Sequence, residues 1–248
     1  MSELQGVYAI WLREVLVFFK EKERVISSLV TPLLWLVVLG FGLGGSVEIG
    51  DTKYSEFIFP GIIAMNVLFV SLFYGMYVVW DRKLDFLKEV LVAPIRRSSL
   101  VLGKILGGVT DVAIQTSLLF IIGSFILGYS LSITAALLAY SIALYMAICI
   151  VSIGLTIGAS LSGPEGFNLI VSFVMWPMFL LSGALFPVEN VPPWLRPFVY
   201  IDPLFYGVDL LRHVMGGVSV LPPLVNVVAL GTITLLSFIV ATLSFRRL

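Results

Sequence analysis

Five long stretches of this chain contain no charged residue. They cover residues 25–47, 57–80, 112–164, 166–188 and 213–245. About 20 apolar residues cross a bilayer as one helix, so the third stretch has room for two crossings and each other stretch for one. A β-barrel would alternate apolar and polar residues, and these stretches are continuously apolar. With 59% apolar and 12% charged residues, the sequence predicts an all-α integral membrane protein with six transmembrane helices.

The predicted spans also define an orientation in the membrane. They cover about 26–45, 57–79, 100–127, 133–160, 167–186 and 223–244. An even number of spans places both termini on one side. If that side is the cytoplasm, the internal segments carry twelve Lys and Arg and the external segments three: Lys53, Arg196 and Arg212. Because cytoplasmic loops are enriched in basic residues, we expect a multi-pass plasma-membrane protein with both termini in the cytoplasm.

A charged loop, residues 80–98, separates the second and third predicted spans. On helical spacing three leucines share one face: Leu84, Leu87 and Leu91. Three charged residues lie largely on the opposite face: Arg82, Asp85 and Glu89. Pro94 ends this pattern because a proline inside a helix loses a hydrogen bond and clashes with the preceding turn. The sequence predicts a cytoplasmic amphipathic helix, which we interpret as a docking segment for a partner protein.

A second amphipathic helix is predicted over residues 3–22, before the first span and within the segment 1–24. Its apolar residues recur at helical spacing: Leu4, Val7, Tyr8, Trp11, Val15 and Phe18. Its charged residues lie mostly away from them: Glu3, Arg13, Glu14, Lys20 and Glu21. We expect this helix to lie in the cytoplasmic membrane interface, with the basic residues toward anionic lipid. It is either an anchor or a lever that couples to a partner.

The external segment 187–221 is too apolar and aromatic for a solvated loop. Asp202 followed by Pro203 predicts a helix start, with an N-cap and a proline at the first helical position. Asp209 and Arg212 have the spacing of a side-chain pair. We expect short external re-entrant helices, one of them starting near residues 190–194, that form either a lid or a tightly packed connection. The residues assigned to this external lid are Pro193, Trp194, Asp202, Pro203, Asp209 and Arg212.

Polar residues recur on one face of the third span. Lys104, Asp111 and Gln115 lie on this face at helical spacing. A charge at membrane depth costs roughly 2.5–3.5 kcal/mol or more, so such residues usually face protein or water. Lys104 can extend its ammonium to the interface. Asp111 either lines a polar path or holds a subunit contact, with Lys104 or a basic residue of another helix as its partner. Asn66 and Gln115 are candidates for hydrogen bonds between helices.

Two motifs carry a resemblance to a known family. Residues 81–94 read DRKLDFLKEVLVAP and are similar to the pattern D-R-E-x-G-F-L-K-E-x-L-V-A-P, with departures at Lys83 and Asp85, where an acid and a glycine are common. The second motif is SGALFP at 182–187, PPWL at 192–195 and DPL at 202–204, followed by Asp209 and Arg212. Through both motifs the chain resembles the membrane subunits of ABC-2 type ABC exporters, which include drug-resistance permeases and polysaccharide or lipo-oligosaccharide exporters.

The resemblance implies a fold, a function and partners. It implies one transmembrane domain over 1–248 that pairs with a second copy or a close paralogue, each copy carrying a cytoplasmic ABC ATPase subunit that holds the coupling helix in a groove. The cargo would be hydrophobic, lipid-like or glycan-linked, and would leave the cytoplasm or the inner leaflet. The residues assigned to ATPase coupling are Asp81, Arg82, Phe86, Leu87, Lys88, Glu89, Ala93 and Pro94.

The chain shows no nucleotide-binding loop of its own. Gly103-Lys104 lacks the upstream glycine and the following Ser or Thr of a phosphate-binding loop. We therefore expect no cofactor or metal in this chain, with ATP and Mg²⁺ bound by the partner ATPase, and we expect contact with membrane lipid but not with nucleic acid. One alternative is an intramembrane lipid-modifying enzyme, although the sequence provides no paired acids and no nucleophile with a base. The other is a non-ABC channel, which would need polar stripes on several helices.

Overall fold

The computed structural model describes residues 3–42, 48–49, 52–87, 95–128, 131–216 and 219–246. Nearly all of this part is helical. The helices are α1 (Glu3–Lys20), α2 (Lys22–Gly42), α3 (Tyr54–Tyr74), α4 (Met76–Lys83), α5 (Arg97–Leu127), α6 (Ile133–Ser160), α7 (Pro164–Leu181), α8 (Arg196–Ile201), α9 (Pro203–Val214) and α10 (Pro223–Arg246). Two-residue strands, β1 (Glu48–Ile49) and β2 (Thr52–Lys53), pair antiparallel, and Val188–Asn190 is a 3₁₀ turn.

Six helical segments in the described part are long and apolar enough to cross a membrane. They are Val25–Gly42, Glu56–Lys83, Arg97–Leu127, Ile133–Ser160, Pro164–Leu181 and Pro223–Arg246. The second segment combines α3 and α4, which are separated by Gly75. The prediction of an all-α integral membrane protein with six crossings is confirmed.

Helix α6 lies at the centre of the bundle and packs against α3, α5, α9 and α10. The boundary between α3 and α4 crosses it with the two backbones in direct contact. A Cβ atom on Gly75 would lie 2.0 Å from the carbonyl oxygen of Gly154, and one on Gly158 would lie 2.1 Å from that of Gly75. Small residues let membrane helices approach this closely because no side chain separates their backbones. This crossing fixes the position from which α4 extends.

Helix α1 packs along the first half of α5. A Cβ atom on Gly103 would lie 2.8 Å from Ile10 Cβ, and one on Gly107 would lie 2.6 Å from Glu14 Cβ. A four-residue step along α1 therefore matches a four-residue step along α5, so the two helices run in the same direction. The 31 residues of α5 span about 46 Å, whereas the hydrocarbon core measures about 30 Å. Helix α5 is therefore longer than the apolar core of the membrane is thick, and its first half provides a surface for α1.

One contact of α1 differs from our expectation, because Arg13, a basic residue that we expected to face anionic lipid, binds Asp81. The outward face of α1 carries large apolar side chains that are exposed: Leu4, Tyr8, Leu12, Leu16 and Phe19. The charged Glu14 faces inward, where it is buried. A helix in the membrane interface directs such an apolar face into lipid, so these exposed residues are compatible with the interfacial position that we expected, which stays a prediction.

The segment that we expect to be external, residues 187–221, contains the expected helix start. The N–H of Leu204 donates to Asp202 Oδ1 at 2.8 Å, and Pro203 is the first residue of α9. Asp202 is thus the N-cap of α9, as its sequence context predicts. The shorter preceding helix is α8, which begins at Arg196, a few residues later than the expected start near 190–194.

Among the described contacts, Asp209 and Arg212 make their hydrogen bonds with other partners and not with each other as their spacing predicts. Asp209 accepts from the backbone N–H groups of Val220 and Leu221 at 2.7 and 3.0 Å, and from the Asn226 amide at 2.7 Å. Arg212 instead donates to the carbonyl oxygen of Gly183. One turn of helix brings two side chains within reach of each other, but neighbouring segments offer each of them better-placed partners. Asp209 therefore fixes the start of α10, whereas Arg212 fixes the end of α7.

Candidate coupling site

Helix α4 carries the first residues of the predicted coupling segment out of the bundle. It ends at Lys83, Asp85 adopts φ +57°, and the chain is helical again at Phe86 and Leu87. The expected continuous amphipathic helix is wrong at this point, because a left-handed residue changes the direction of the chain. Leu84 is accordingly 72% exposed and Leu87 only 3%. Glycine, which is common at position 85 in the similar motif, is the residue best suited to this conformation.

Four charged side chains from three helices form one ion cluster: Arg13, Glu14, Asp81 and Lys104. Asp81 accepts two hydrogen bonds from Arg13, at 2.6 Å (Nη2–Oδ1) and 3.2 Å (Nη1–Oδ2), and one from Lys104 Nζ at 2.6 Å. Glu14 accepts from Lys104 Nζ at 3.0 Å and from Arg13 Nη1 at 2.8 Å. The hydroxyl of Tyr74 donates to Glu14 Oε2 at 2.9 Å. The cluster therefore joins α1, α4 and α5.

The ion cluster is buried and its formal charges cancel. Asp81, Glu14 and Lys104 are 2%, 3% and 1% exposed. Burial acts to raise the pKa of Glu14, but the charges of Lys104 and Arg13 and their hydrogen bonds outweigh it, so the pKa lies below its ordinary value. Removing one partner from a buried ion pair leaves an uncompensated charge, which is strongly destabilising. The three helices are therefore held together as a unit.

Arg82 connects α4 to another helix. Its guanidinium donates to the carbonyl oxygens of Ala159 at 2.6 Å and Leu161 at 3.1 Å, at the C-terminus of α6. The last carbonyl groups of a helix have no hydrogen-bond partners within the helix and carry partial negative charge. An arginine at this position donates hydrogen bonds to them and also supplies a positive charge. Asp81 and Arg82, two predicted coupling residues, thus bind the membrane part of their own chain.

The other predicted coupling residues fall into two groups. The guanidinium of Arg13 lies 4.0 Å from the centroid of the Phe86 ring, a distance at which a cation and an aromatic face attract each other. Leu87 is buried in an apolar cluster that also contains Val78 and Leu100. Four positions lie outside the described residues: Lys88, Glu89, Ala93 and Pro94. Contact of any of these residues with an ATPase stays a prediction.

Helix α1 also contacts the far end of the coupling segment. Glu3 accepts hydrogen bonds from the backbone N–H of Arg96 at 3.2 Å and from the hydroxyl of Ser99 at 2.5 Å. A Cβ atom on Gly6 would lie 2.7 Å from Ile95 Cγ2. Since Arg13 binds Asp81 at the other end, a single helix bridges the entry and the exit of the segment.

The polar face of α5 is divided between two surroundings. Lys104 belongs to the ion cluster, where its ammonium donates to Glu14 and Asp81, and the partner of Asp111 stays a prediction. Gln115 accepts a hydrogen bond from Ser28 of α2 at 2.5 Å, and Asn66 donates to Thr116 Oγ1 at 3.4 Å. The expected hydrogen bonds between helices are therefore present. Asp111 is buried within the bundle, and its assignment to a path or a subunit contact stays a prediction.

The predicted lid residues also separate into two groups. Pro193 and Trp194 are exposed, whereas Asp202, Asp209 and Arg212 are buried. The guanidinium of Arg212 lies 3.8 Å from the centroid of the Phe57 ring in α3, and burial lowers the pKa of Arg212 to about 10. The buried polar residues thus fix α9 to the bundle, while its external position and the lid role stay predictions.

Sequence reasoning missed Arg13, Glu14 and Tyr74 as members of the site. The signal available for Glu14 was Lys104, because an ammonium deep in an apolar span requires a carboxylate partner. The sequence contains 15 acidic residues, and helical spacing does not identify which of them lies nearby.

Comparisons with known proteins find several relatives of this chain. The chain is 26% identical over 260 residues to Nodulation protein J of Neorhizobium galegae, covering 99% of this chain and 95% of that protein. It is 26% identical over 216 residues to the putative transport permease ycf38 of Porphyra purpurea, covering 85% and 74%. It is 26% identical over 165 residues to the probable multidrug ABC transporter permease YbhR of Escherichia coli K12, covering 66% and 45%.

The family comparison covers most of the chain. A model of the ABC-2 type transporter family matches residues 5–215, a range that includes most of α1, the ion cluster, and helices α8 and α9. Together with six apolar helices, this match identifies a subunit of a membrane transporter. The chain belongs to the ABC-2 type transporter family.

Proposed function

We propose that this chain is the permease subunit of an ATP-driven exporter in the plasma membrane, with both termini in the cytoplasm. A separate ABC ATPase subunit docks on residues 81–94 and supplies the energy. Two copies of the chain, or one copy and a close paralogue, form the path. The cargo is a hydrophobic, lipid-like or glycan-linked molecule that leaves the cytoplasm or the inner leaflet. The names of the relatives, a nodulation protein and a probable multidrug permease, are compatible with such cargo.

The ion cluster is the observation that carries this proposal. Asp81 begins the proposed docking segment, and its carboxylate is bonded to Arg13 in α1 and to Lys104 in α5. A displacement of the segment therefore requires these two helices to move with it, since separating buried opposite charges costs several kcal/mol. A docked ATPase would thus act on the membrane bundle as a whole and not on a single loop.

The contacts of helix α1 favour a role as a lever over a role as a membrane anchor alone. The helix contacts the first residue of the segment, Asp81, and also Arg96, two residues after the end of the segment. A helix bound at both ends of a segment moves when either end moves. This geometry would transmit a change in the docked ATPase to α1 and onward to α2, which follows after one residue.

Photo-cross-linking tests the docking step while leaving the fold intact. A photoreactive amino acid replaces Leu84, which is highly exposed in the proposed docking segment, or Phe125, which is highly exposed near the opposite end of α5. We expect cross-links to the co-expressed ATPase from position 84 and none from position 125. An ATPase that co-purifies with the permease but cross-links from neither position would contradict docking on this segment.

Transport in vesicles tests direction and energy source. Inside-out membrane vesicles that contain this chain and its ATPase should accumulate a fluorescent amphipathic probe when ATP is added. Vesicles that lack the ATPase, or that receive a non-hydrolysable ATP analogue, should not. Accumulation without the ATPase would exclude ATP-driven export.

A further inference from the structure

A cleft opens on the side of the bundle between α2 and the joined helices α3 and α4. Its volume is ≈ 450 Å³, which lies within the range of small-molecule sites. It lies between the first turns of α2 and the last turns of α3 and α4, at the end of the bundle that carries the coupling segment. Phe73 and Trp80 are exposed at this cleft, so it is open to the surroundings of the subunit.

The two long walls of the cleft differ in chemistry. One wall is aromatic and follows one face of α3 and α4: Phe69, Phe73, Tyr77 and Trp80. The facing wall, from α2 and α5, carries hydroxyl groups and an amide: Ser27, Ser28, Thr31 and Gln115. Aromatic faces accept flat apolar surfaces, and hydroxyl and amide groups both donate and accept hydrogen bonds. A ligand that fits both walls has an apolar face and an edge of hydroxyl groups.

The charges around the cleft favour an uncharged ligand head. Glu21 is the one charged residue among the lining side chains that the structure describes, and its carboxylate accepts a hydrogen bond from the Tyr77 hydroxyl. The ammonium of Lys83 lies 5.6 Å from the centroid of the Trp80 ring at the rim. Among the described lining residues there is no cation for an anionic head, and the one carboxylate is already engaged by Tyr77, so neither charged head finds an open partner in the cleft.

We propose that this cleft binds the head of an uncharged, hydroxylated amphipathic molecule, with its ring against the aromatic wall and its hydroxyl groups on the polar wall. The apolar tail extends into the leaflet on the side of the coupling segment. This proposal rests on the transport function proposed above. It names the class of cargo that binds in the cleft before it is transported. Tyr77 in α4 and Glu21 next to α1 both line the cleft, so a movement of the coupling segment would change its shape.

Photolabelling of the purified chain in lipid nanodiscs, without any ATPase, tests this proposal. The probe is an alkyl glucoside with a diazirine in its chain, and labelled peptides are identified by mass spectrometry. Three competitors share an octyl tail and differ in the head: glucoside, trimethylammonium and sulfate. We expect labelling of the cleft helices and competition by the glucoside at a concentration about tenfold lower than that of either charged competitor, the difference made by about one hydrogen bond to a neutral partner. Stronger competition by a charged head, or equal competition by all three, would overturn the proposal.

Matched threonine variants connect the labelling to the polar wall. Thr31→Val removes one lining hydroxyl while keeping the side-chain shape and should reduce labelling about three- to tenfold. Thr232→Val in α10, where the hydroxyl donates to Val228 within the helix, should leave labelling unchanged. Equal labelling of both variants would refute the assigned head position. Trp80→Ala provides a further test. If this change converts a dimer to monomers and leaves the labelling unchanged, the cleft is an interface between subunits and not a ligand site.

The assay separates this proposal from the proposed function. It involves no ATPase, so failure of head recognition leaves docking on residues 81–94 intact. Failure of the cross-linking from position 84 would likewise leave the labelling result standing.

Discussion

Arg13 and Asp81 are 68 positions apart and form a two-pronged ion pair at the point where α4 leaves the bundle. Two parallel N–H to oxygen bonds fix both the distance and the orientation of the partners. The same guanidinium lies over the Phe86 ring, beyond the left-handed residue Asp85. One arginine thus contacts the chain on both sides of the bend, which ties α1 to the start of the proposed docking segment.

Lys104 should be the member of the ion cluster whose removal costs most. Lys104→Met keeps the length of the side chain but leaves the carboxylates of Glu14 and Asp81 buried with one cation fewer. We expect a loss of about 3–5 kcal/mol in the free energy of unfolding, as for other broken buried ion pairs. Thermal unfolding in detergent measures the change. Lys83→Met, at an exposed position in the same part of the structure, is the control, and equal melting temperatures for the two variants would contradict the assignment.

The ion cluster should also make stability depend on pH in the acid range. Glu14 faces Arg13, Lys104 and Tyr74, and its pKa in the folded chain lies below the ordinary value of 4.5. As the pH falls, Glu14 therefore becomes protonated in the unfolded chain before it does in the folded chain. The free energy of unfolding decreases once the pH is below the ordinary pKa of 4.5. Glu14→Gln should lower the melting temperature near neutral pH and flatten its decrease in acid. Glu56→Gln, at an exposed position, should change neither, and an unchanged acid slope in the Glu14 variant would disprove the linkage.

The bend at Asp85 predicts an order of stabilities at this position. Left-handed backbone costs a non-glycine residue roughly 1–2 kcal/mol, less for Asp and Asn and more for β-branched residues. We expect the melting temperature to follow Gly ≥ Asp ≈ Asn > Ala > Val. Asn tests whether the charge of Asp85 matters, because Asn tolerates the same conformation. A Val variant as stable as the Gly variant would show that the bend does not form.

The contact between α3–α4 and α6 should not tolerate a methyl group. A Cβ atom on Gly75 would lie 2.0 Å from the Gly154 carbonyl oxygen, whereas nothing lies within 4 Å of one on Gly166 in α7. Gly75→Ala must separate the two helices and should sharply reduce the yield of monodisperse protein. Gly166→Ala should be neutral or stabilising by up to about 1 kcal/mol, because alanine favours helix over glycine. Size-exclusion profiles compare the two, and equal yields would argue against the crossing.

Sequence reasoning identified elements but not the contacts between them. The six spans follow from uncharged stretches, and the N-cap at Asp202 follows from the residue types beside it, because both are local properties. Which residues of α1 face the bundle could not be predicted in this way. In water an apolar face must be buried, but lipid accepts apolar side chains as readily as the protein interior does, so amphipathicity no longer identifies the buried side. The pairing of Glu14 with Lys104 spans 90 positions and depends on how three helices pack.

The hydrogen bonds of Asp209 give a final prediction about the energetic coupling between two residues. Its carboxylate accepts three hydrogen bonds, from Val220, Leu221 and Asn226. Asp209→Asn replaces one accepting oxygen by a donor and should cost about 1.5–3 kcal/mol in the free energy of unfolding. Asn226→Ala should cost less, and the double variant should cost less than the sum, because both changes remove the same bond. Leu221→Cys in each background reports on the segment before α10, and its thiol should react faster with a water-soluble maleimide when Asp209 is changed. Additive costs with an unchanged labelling rate would show that Asp209 does not fix this segment to α9.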